Sequence, residues 1–164
     1  MPRRRQSGFT MLEALIASAI LAVAVAAIAQ SISAGQGQTY DSLHQMRAAS
    51  VAESLMEELV ATPYFDDTLE FTRGPEEGEA TRADFDSLDD YLGYSEAAGE
   101  LKDVAGNALD APLQVFSRSV TLVGATVDIP AFGGEKSGLT ITITVTDQRG
   151  RTWTISRFVP EPAI

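Results

Sequence analysis

Residues 9–32 read F-T-M-L-E-A-L-I-A-S-A-I-L-A-V-A-V-A-A-I-A-Q-S-I and hold one formal charge, Glu13, in an apolar run. At roughly 1.5 Å per residue such a helix is about 36 Å long, enough to cross a hydrocarbon core of about 30 Å. The pattern turns polar at residues 33–38, Ser-Ala-Gly-Gln-Gly-Gln, where each glycine costs a helix about 1 kcal/mol relative to alanine. The helix is weakest there, and a bend or local melting is expected at that point on assembly. Helical periodicity resumes over residues 40–60, with Leu43, Met46, Ala49, Ala52, Leu55, Met56 and Leu59 on one stripe and Arg47, Glu53, Glu57 and Glu58 elsewhere. This amphipathic half needs something to cover it, and Pro63 ends it.

Residues 63–112 keep no sustained period and are rich in acid, glycine and turn formers, so they read as a long loop region. Loops longer than about 15 residues in a compact domain are usually functional or disordered, so this one needs an explanation. From Leu113 the period becomes two. Residues 114–123, 139–146 and 152–159 are rich in valine, isoleucine, threonine and aromatics, and residues 139–146 alternate without a break. Asp147-Gln148-Arg149-Gly150 predicts a hairpin turn between the last two strands. Residues 128–138, with Pro130 and Gly133-Gly134, predict a longer connection. Ile141, Ile143 and Val145, with Trp153 and Ile155 opposite, offer an apolar face to the amphipathic helix. The expected fold class is therefore α+β, a long amino-terminal helix packed on a small carboxy-terminal antiparallel sheet.

Composition narrows the setting. Of 164 residues, about 130 lie beyond the apolar span, enough for one small domain. The formal charge of −11 argues against nucleic-acid backbone as a partner. Arg3, Arg4 and Arg5 precede the span and only Arg47 follows soon after it. By the positive-inside rule the amino terminus is expected in the cytoplasm and the bulk of the chain outside the inner membrane. The chain has no cysteine, so the fold must close by packing and hydrogen bonds or with a bound metal.

A carboxylate four residues into an apolar span is costly, so Glu13 needs a use. The hexapeptide Gly8-Phe9-Thr10-Met11-Leu12-Glu13, after a short basic leader and before the apolar run, closely resembles the processing signal of type IV prepilins and type II secretion pseudopilins. The resemblance implies that a membrane prepilin peptidase removes residues 1–8 by cutting between Gly8 and Phe9 and methylates the new terminus at Phe9. It also implies that Glu13 neutralises the terminal ammonium of a neighbouring pilin or pseudopilin subunit, and that the fold is pilin-like. The short leader and residues 82–91 most resemble minor pilins of the mannose-sensitive haemagglutinin class, with pilus-modification minor pilins next. Many pilins carry a cysteine near the carboxyl terminus and major pilins often carry a proline near Gln30; this chain has neither, which favours a minor subunit.

Rival readings use fewer of these residues. A secretory signal peptide needs the same basic and apolar regions, and Ala29-Gln30-Ser31 would pass as its cleavage site. Its apolar region is about 7–15 residues, shorter than residues 14–32, and has no use for a glutamate at its start. A single-pass anchor for an extracytoplasmic binding module explains the length but leaves Gly8, Phe9 and Glu13 idle. The division expected is a leader at 1–8, an assembly helix at 9–32, an amphipathic half at 33–62, an acidic loop region at 63–112 and a sheet at 113–164.

Asp84, Asp86, Asp89 and Asp90 form a local cluster of hard oxygen ligands suited to calcium. The spacing is not that of an EF-hand, since Asp89 stands where that loop needs glycine and Ser95 where it needs glutamate. The competing reading is a solvated acidic loop with Asp86-Ser87-Leu88-Asp89 as a turn or cap. One histidine, no cysteine and no glycine-rich phosphate loop leave almost no material for acyl or phosphoryl transfer, so no enzyme is expected. His44 falls on the polar side of the helix, which points to a solvated histidine.

Overall fold

The computed structural model describes residues 9–65 and 74–162. Helix α1, Met11–Ala61, runs through Gly35 and Gly37 without interruption. The chain divides into two compact units, residues 1–43 and 44–164.

In the first unit no described residue is buried. Phe9, Met11, Leu12 and Ile20 expose 78%, 83%, 68% and 65% of their surface, an arrangement water does not tolerate over a whole helix. The 18-residue window of highest hydropathy averages 2.4.

In the second unit strands β1 Ser95–Glu96, β2 Phe116–Ile129, β3 Gly134–Asp147 and β4 Thr152–Pro160 form one sheet in that order, every neighbouring pair antiparallel. Val145 pairs with Trp153 and Ile143 with Ile155, as the alternation predicts. Their inner face packs with Ala48, Val51, Ala52, Leu55, Met56 and Leu59 of the helix in one core. On the outer face Ser117, Ser119 and Thr121 stand against Thr146, Thr144 and Thr142, and these in turn against Thr152, Thr154 and Ser156. This is the pilin-like α+β arrangement, a long amino-terminal helix and a small antiparallel sheet.

Three expectations are corrected. The buried helix stripe begins at His44, while Leu43 and Met46 are 44% and 69% exposed; the core registers on positions 44, 48, 51, 52, 55, 56 and 59. Residues 128–138 are not a long connection, because β2 and β3 pair as far as Ile129 and Gly134. Pro130–Phe132 makes a short 3-10 turn between them, closed by Gly133 at φ 87°, which glycine adopts without strain. The acidic region is not merely loop. A 3-10 turn at Leu88–Tyr91 and strand β1 lie within it, and Leu88, Tyr91 and Leu101 join the core.

Candidate functional site

The helix start is built by Thr10. Its Oγ1 accepts the backbone N–H of Glu13 at 3.3 Å, and its carbonyl accepts that of Ala14 at 3.1 Å, so Thr10 caps α1. The run Thr10-Met11-Leu12-Glu13 has the spacing of a capping box, a signal the sequence carried in plain view and the periodicity argument passed over. Glu13 sits in the first turn, where a carboxylate is favoured by the helix dipole. Phe9 precedes the helix and is exposed; Gly8, the other half of the expected cleavage bond, lies outside the described residues. Glu13 is four residues along the chain from Phe9, which stands two residues before the first residue of α1.

The expected calcium ligands do not all converge. Asp84 Oδ2 accepts the backbone N–H and hydroxyl of Thr81 at 3.0 and 2.8 Å. Asp89 Oδ1 accepts the Ser87 hydroxyl at 2.6 Å. Asp90 Oδ2 caps the 3-10 turn, accepting the backbone N–H groups of Asp86 and Ser87 at 3.1 and 2.9 Å. Carboxylate oxygens of Asp86, Asp90 and Glu79 nevertheless lie within 4.8 Å of one another, and Glu79 is the member the sequence did not single out. Glu79 accepts the Glu76 N–H at 2.9 Å, which lowers its pKa. Burial and the nearby Asp90 and Asp86 carboxyls outweigh that bond and hold it above the ordinary glutamate value. These three are the residues that could hold a hard cation.

A buried ionic chain ties the acidic region to helix and sheet. Glu58 on α1 accepts Arg82 Nε at 2.9 Å and the Tyr91 hydroxyl at 2.8 Å. Arg82 Nη1 reaches Glu96 on β1 at 3.4 Å, and Glu96 also accepts Nε of Arg118 on β2. Arg118 returns to the helix, donating to the Val51 carbonyl at 3.3 Å, and also donates to the Lys102 carbonyl at 2.7 Å. Burial pushes the Tyr91 hydroxyl pKa upward and the Glu58 carboxylate it donates to adds to the rise; burial and Glu96 do the same to Tyr94. Of this chain the sequence reading placed only Glu58, off the apolar stripe of the helix; it gave Arg82, Glu96 and Arg118 no role. Phe116-x-Arg118-x-Val120 puts Arg118 at inward parity, which was the available signal.

His44 is a further correction, being 8% exposed and not solvated. Its Nε2 lies 3.0 Å from Asp147 Oδ2, and its ring sits 4.7 Å from Phe116 and 5.7 Å from Trp153. Its partner is 103 residues away, beyond the reach of any local pattern. Asp147 also accepts the N–H groups of Arg149 and Arg151 at 2.8 and 2.9 Å and Arg151 Nε at 2.9 Å. Burial raises its pKa, but Arg151, Arg149 and His44 together hold the carboxyl well below the ordinary value of 3.8.

An exposed apolar helix with a capped, singly charged start fits a single-pass membrane anchor, and the unit that follows packs helix on antiparallel sheet in a pilin-like fold. Residues 3–29 match the family described as the prokaryotic N-terminal methylation motif. The match supports a type IV pilin-like or pseudopilin-like protein and implies processing by prepilin peptidase and assembly with other pilins. No curated protein and no solved structure matches the chain.

Proposed function

We propose that this chain is a minor pilin or pseudopilin, inserted once in the inner membrane with its amino terminus in the cytoplasm, cut between Gly8 and Phe9, methylated at Phe9 and assembled into a pilus or pseudopilus. The observation that carries the reading is the methylation motif over residues 3–29, coinciding with an apolar helix whose described side chains are exposed to their surroundings. A charged carboxylate inside lipid is costly unless paired. In this reading Glu13 meets the terminal amine of an axially shifted neighbour, with Ala14, Ala17, Ser18, Ala22 and Ala26 allowing close helix approach. A simple tether would leave the motif idle, and nothing in the molecule favours it.

The test is intact-mass analysis of the accumulated membrane form together with Glu13→Gln. The expected parent species begins at methylated Phe9, and the glutamine variant is still cut but incorporates into filaments at least tenfold less. A species retaining Arg3, Arg4 and Arg5 would defeat the processing step; normal incorporation of Glu13→Gln would defeat the pairing. Calcium belongs to the same proposal only as a ligand of Glu79, Asp86 and Asp90. A midpoint of thermal unfolding that is unmoved by millimolar calcium would remove it.

A further inference from the structure

Strand β4, Thr152–Pro160, ends the sheet and has a neighbour on one side only, β3. The Asp147 N–H donates to the Arg151 carbonyl at 3.0 Å, and the bonds of an antiparallel ladder alternate from such a pair. Trp153, Ile155, Arg157 and Val159 therefore bond to β3, while the backbone N–H and C=O groups of Thr152, Thr154, Ser156 and Phe158 point away from it. No hydrogen bond from another described residue reaches those outward groups. A strand of nine residues with an open edge is a template for one more strand.

The side chains say what kind of strand. From the turn into β4, the row on the inner side of the pleat reads Arg151, Trp153, Ile155, Arg157. Trp153 and Ile155 are half-buried, with Arg149 and Arg151 at one end of them and Arg157 at the other. Arg149 and Arg157 are exposed and form no ion pair with a described residue. Residues 148–160 hold these three arginines and no acid, in a chain whose formal charge is −11. The turn end is ordered in advance, because the Asp147 carboxylate accepts the N–H groups of Arg149 and Arg151 and Arg151 lies 5.5 Å over the Trp153 ring. The opposite edge of the sheet is different. There β1 pairs with Arg118 and Ser119 of β2, and residues 121–129 beyond them carry one charge, Asp128.

We infer that the β4 edge takes up an extended acidic segment of a different protein chain as an added strand. Its carboxylates meet Arg157 at one end and the Arg149–Arg151 turn at the other, and its apolar side chains lie beside Trp153 and Ile155. Opposite charges facing each other across a strand pair stabilise it and like charges destabilise it. A second copy is therefore a poor occupant, since joining two β4 edges gathers the arginines of both on one seam. The cations that guard an open edge against self-pairing also select what joins it. The contact is made once per copy by the second unit, so it goes beyond the filament reading and does not depend on it.

The probe is a synthetic peptide of the length of β4, nine residues, in which threonines alternate with glutamate, valine, valine and glutamate in that order. It is added to the full-length protein in uncharged detergent micelles, and exchange of individual amides is followed. The expected result is slower exchange at Thr152, Thr154, Ser156 and Phe158 with residues 121–129 unchanged, and weaker binding as salt rises. Arg157→Glu should weaken binding about tenfold and admit the same peptide with lysine in place of glutamate. Ser156→Pro removes one outward N–H, keeps every arginine and should also weaken binding about tenfold. The inference is overturned if the parent binds the lysine peptide, or an acidic one with a central proline, as well as the probe. Binding that leaves those four amides unprotected would mean that charge alone holds the peptide, and protection at residues 121–129 would move the site to the other edge. Protection that grows with protein concentration and needs no peptide would make a second copy the occupant; each of these three outcomes also overturns it.

Discussion

Arg118 shows how much one side chain carries when it is buried with charge. Only 3% of it is exposed, and it satisfies Glu96, the Val51 carbonyl and the Lys102 carbonyl at once. Removing one partner from a buried pair is far more damaging than replacing both, because the remaining charge stays desolvated. Arg118→Met should therefore destabilise by roughly 3 kcal/mol in chemical denaturation. Adding Glu96→Gln should return a substantial part of that; a double variant no better than the single would mean that packing, not charge, sets the cost. Thr10 is the smaller counterpart at the other end of the helix, a single hydroxyl that fixes where the first turn begins.

Among the elements, helix and sheet were legible because their periods, 3.6 and 2, survive in the sequence over long stretches. Residues 139–146 gave both the strand and its inward face, and the register pairs Ile143 with Ile155 as expected. The hairpin between β2 and β3 was not legible, because Pro130, Gly133 and Gly134 look the same in a long loop and in a tight 3-10 closure. The packing of Leu88, Tyr91 and Leu101 left no sustained period, since Leu88 and Tyr91 share one four-residue 3-10 turn and Leu101 comes from a separate loop. The glycines of α1 make a testable case. A methyl group at Gly35 or Gly37 would meet nothing within 4 Å, so Gly35→Ala with Gly37→Ala should stiffen the helix by about 1 kcal/mol per site. If assembly needs a bend there, filament incorporation should fall while the melting midpoint rises; unchanged incorporation would show that the helix enters the filament straight.

At the scale of the whole molecule, no disulfide can hold the fold, and ionic links join the acidic region and the β3–β4 turn to the rest of the second unit. Their response to pH can be worked out from the direction of each shift. Asp147 has its folded pKa below the unfolded value of 3.8, so its contribution is complete above that value and is lost as pH falls towards the folded one. Tyr91 is raised from 10.0, so its contribution is complete below that value and is lost as pH rises beyond it. Stability should be flat across neutral pH and fall on both sides, and Asp147→Asn should lower the plateau and weaken the acid limb. An acid limb unchanged in that variant, followed by thermal unfolding across pH, would assign the loss to other carboxyls. The methylation motif was recognisable by its resemblance to a known family because it lies in one short stretch, whereas the contacts of Arg82, Glu96, Arg118 and the His44–Asp147 pair exist only once distant segments are brought together.

Every buried residue of α1 lies at or beyond His44. The two units therefore face different physical constraints. On the proposed reading, residues up to Leu43 answer to the peptidase, the lipid and neighbouring helices, while the core beyond is constrained by its own packing. Under that reading, exposed residues of the second unit can be replaced without touching the stretch that the peptidase and the membrane would meet.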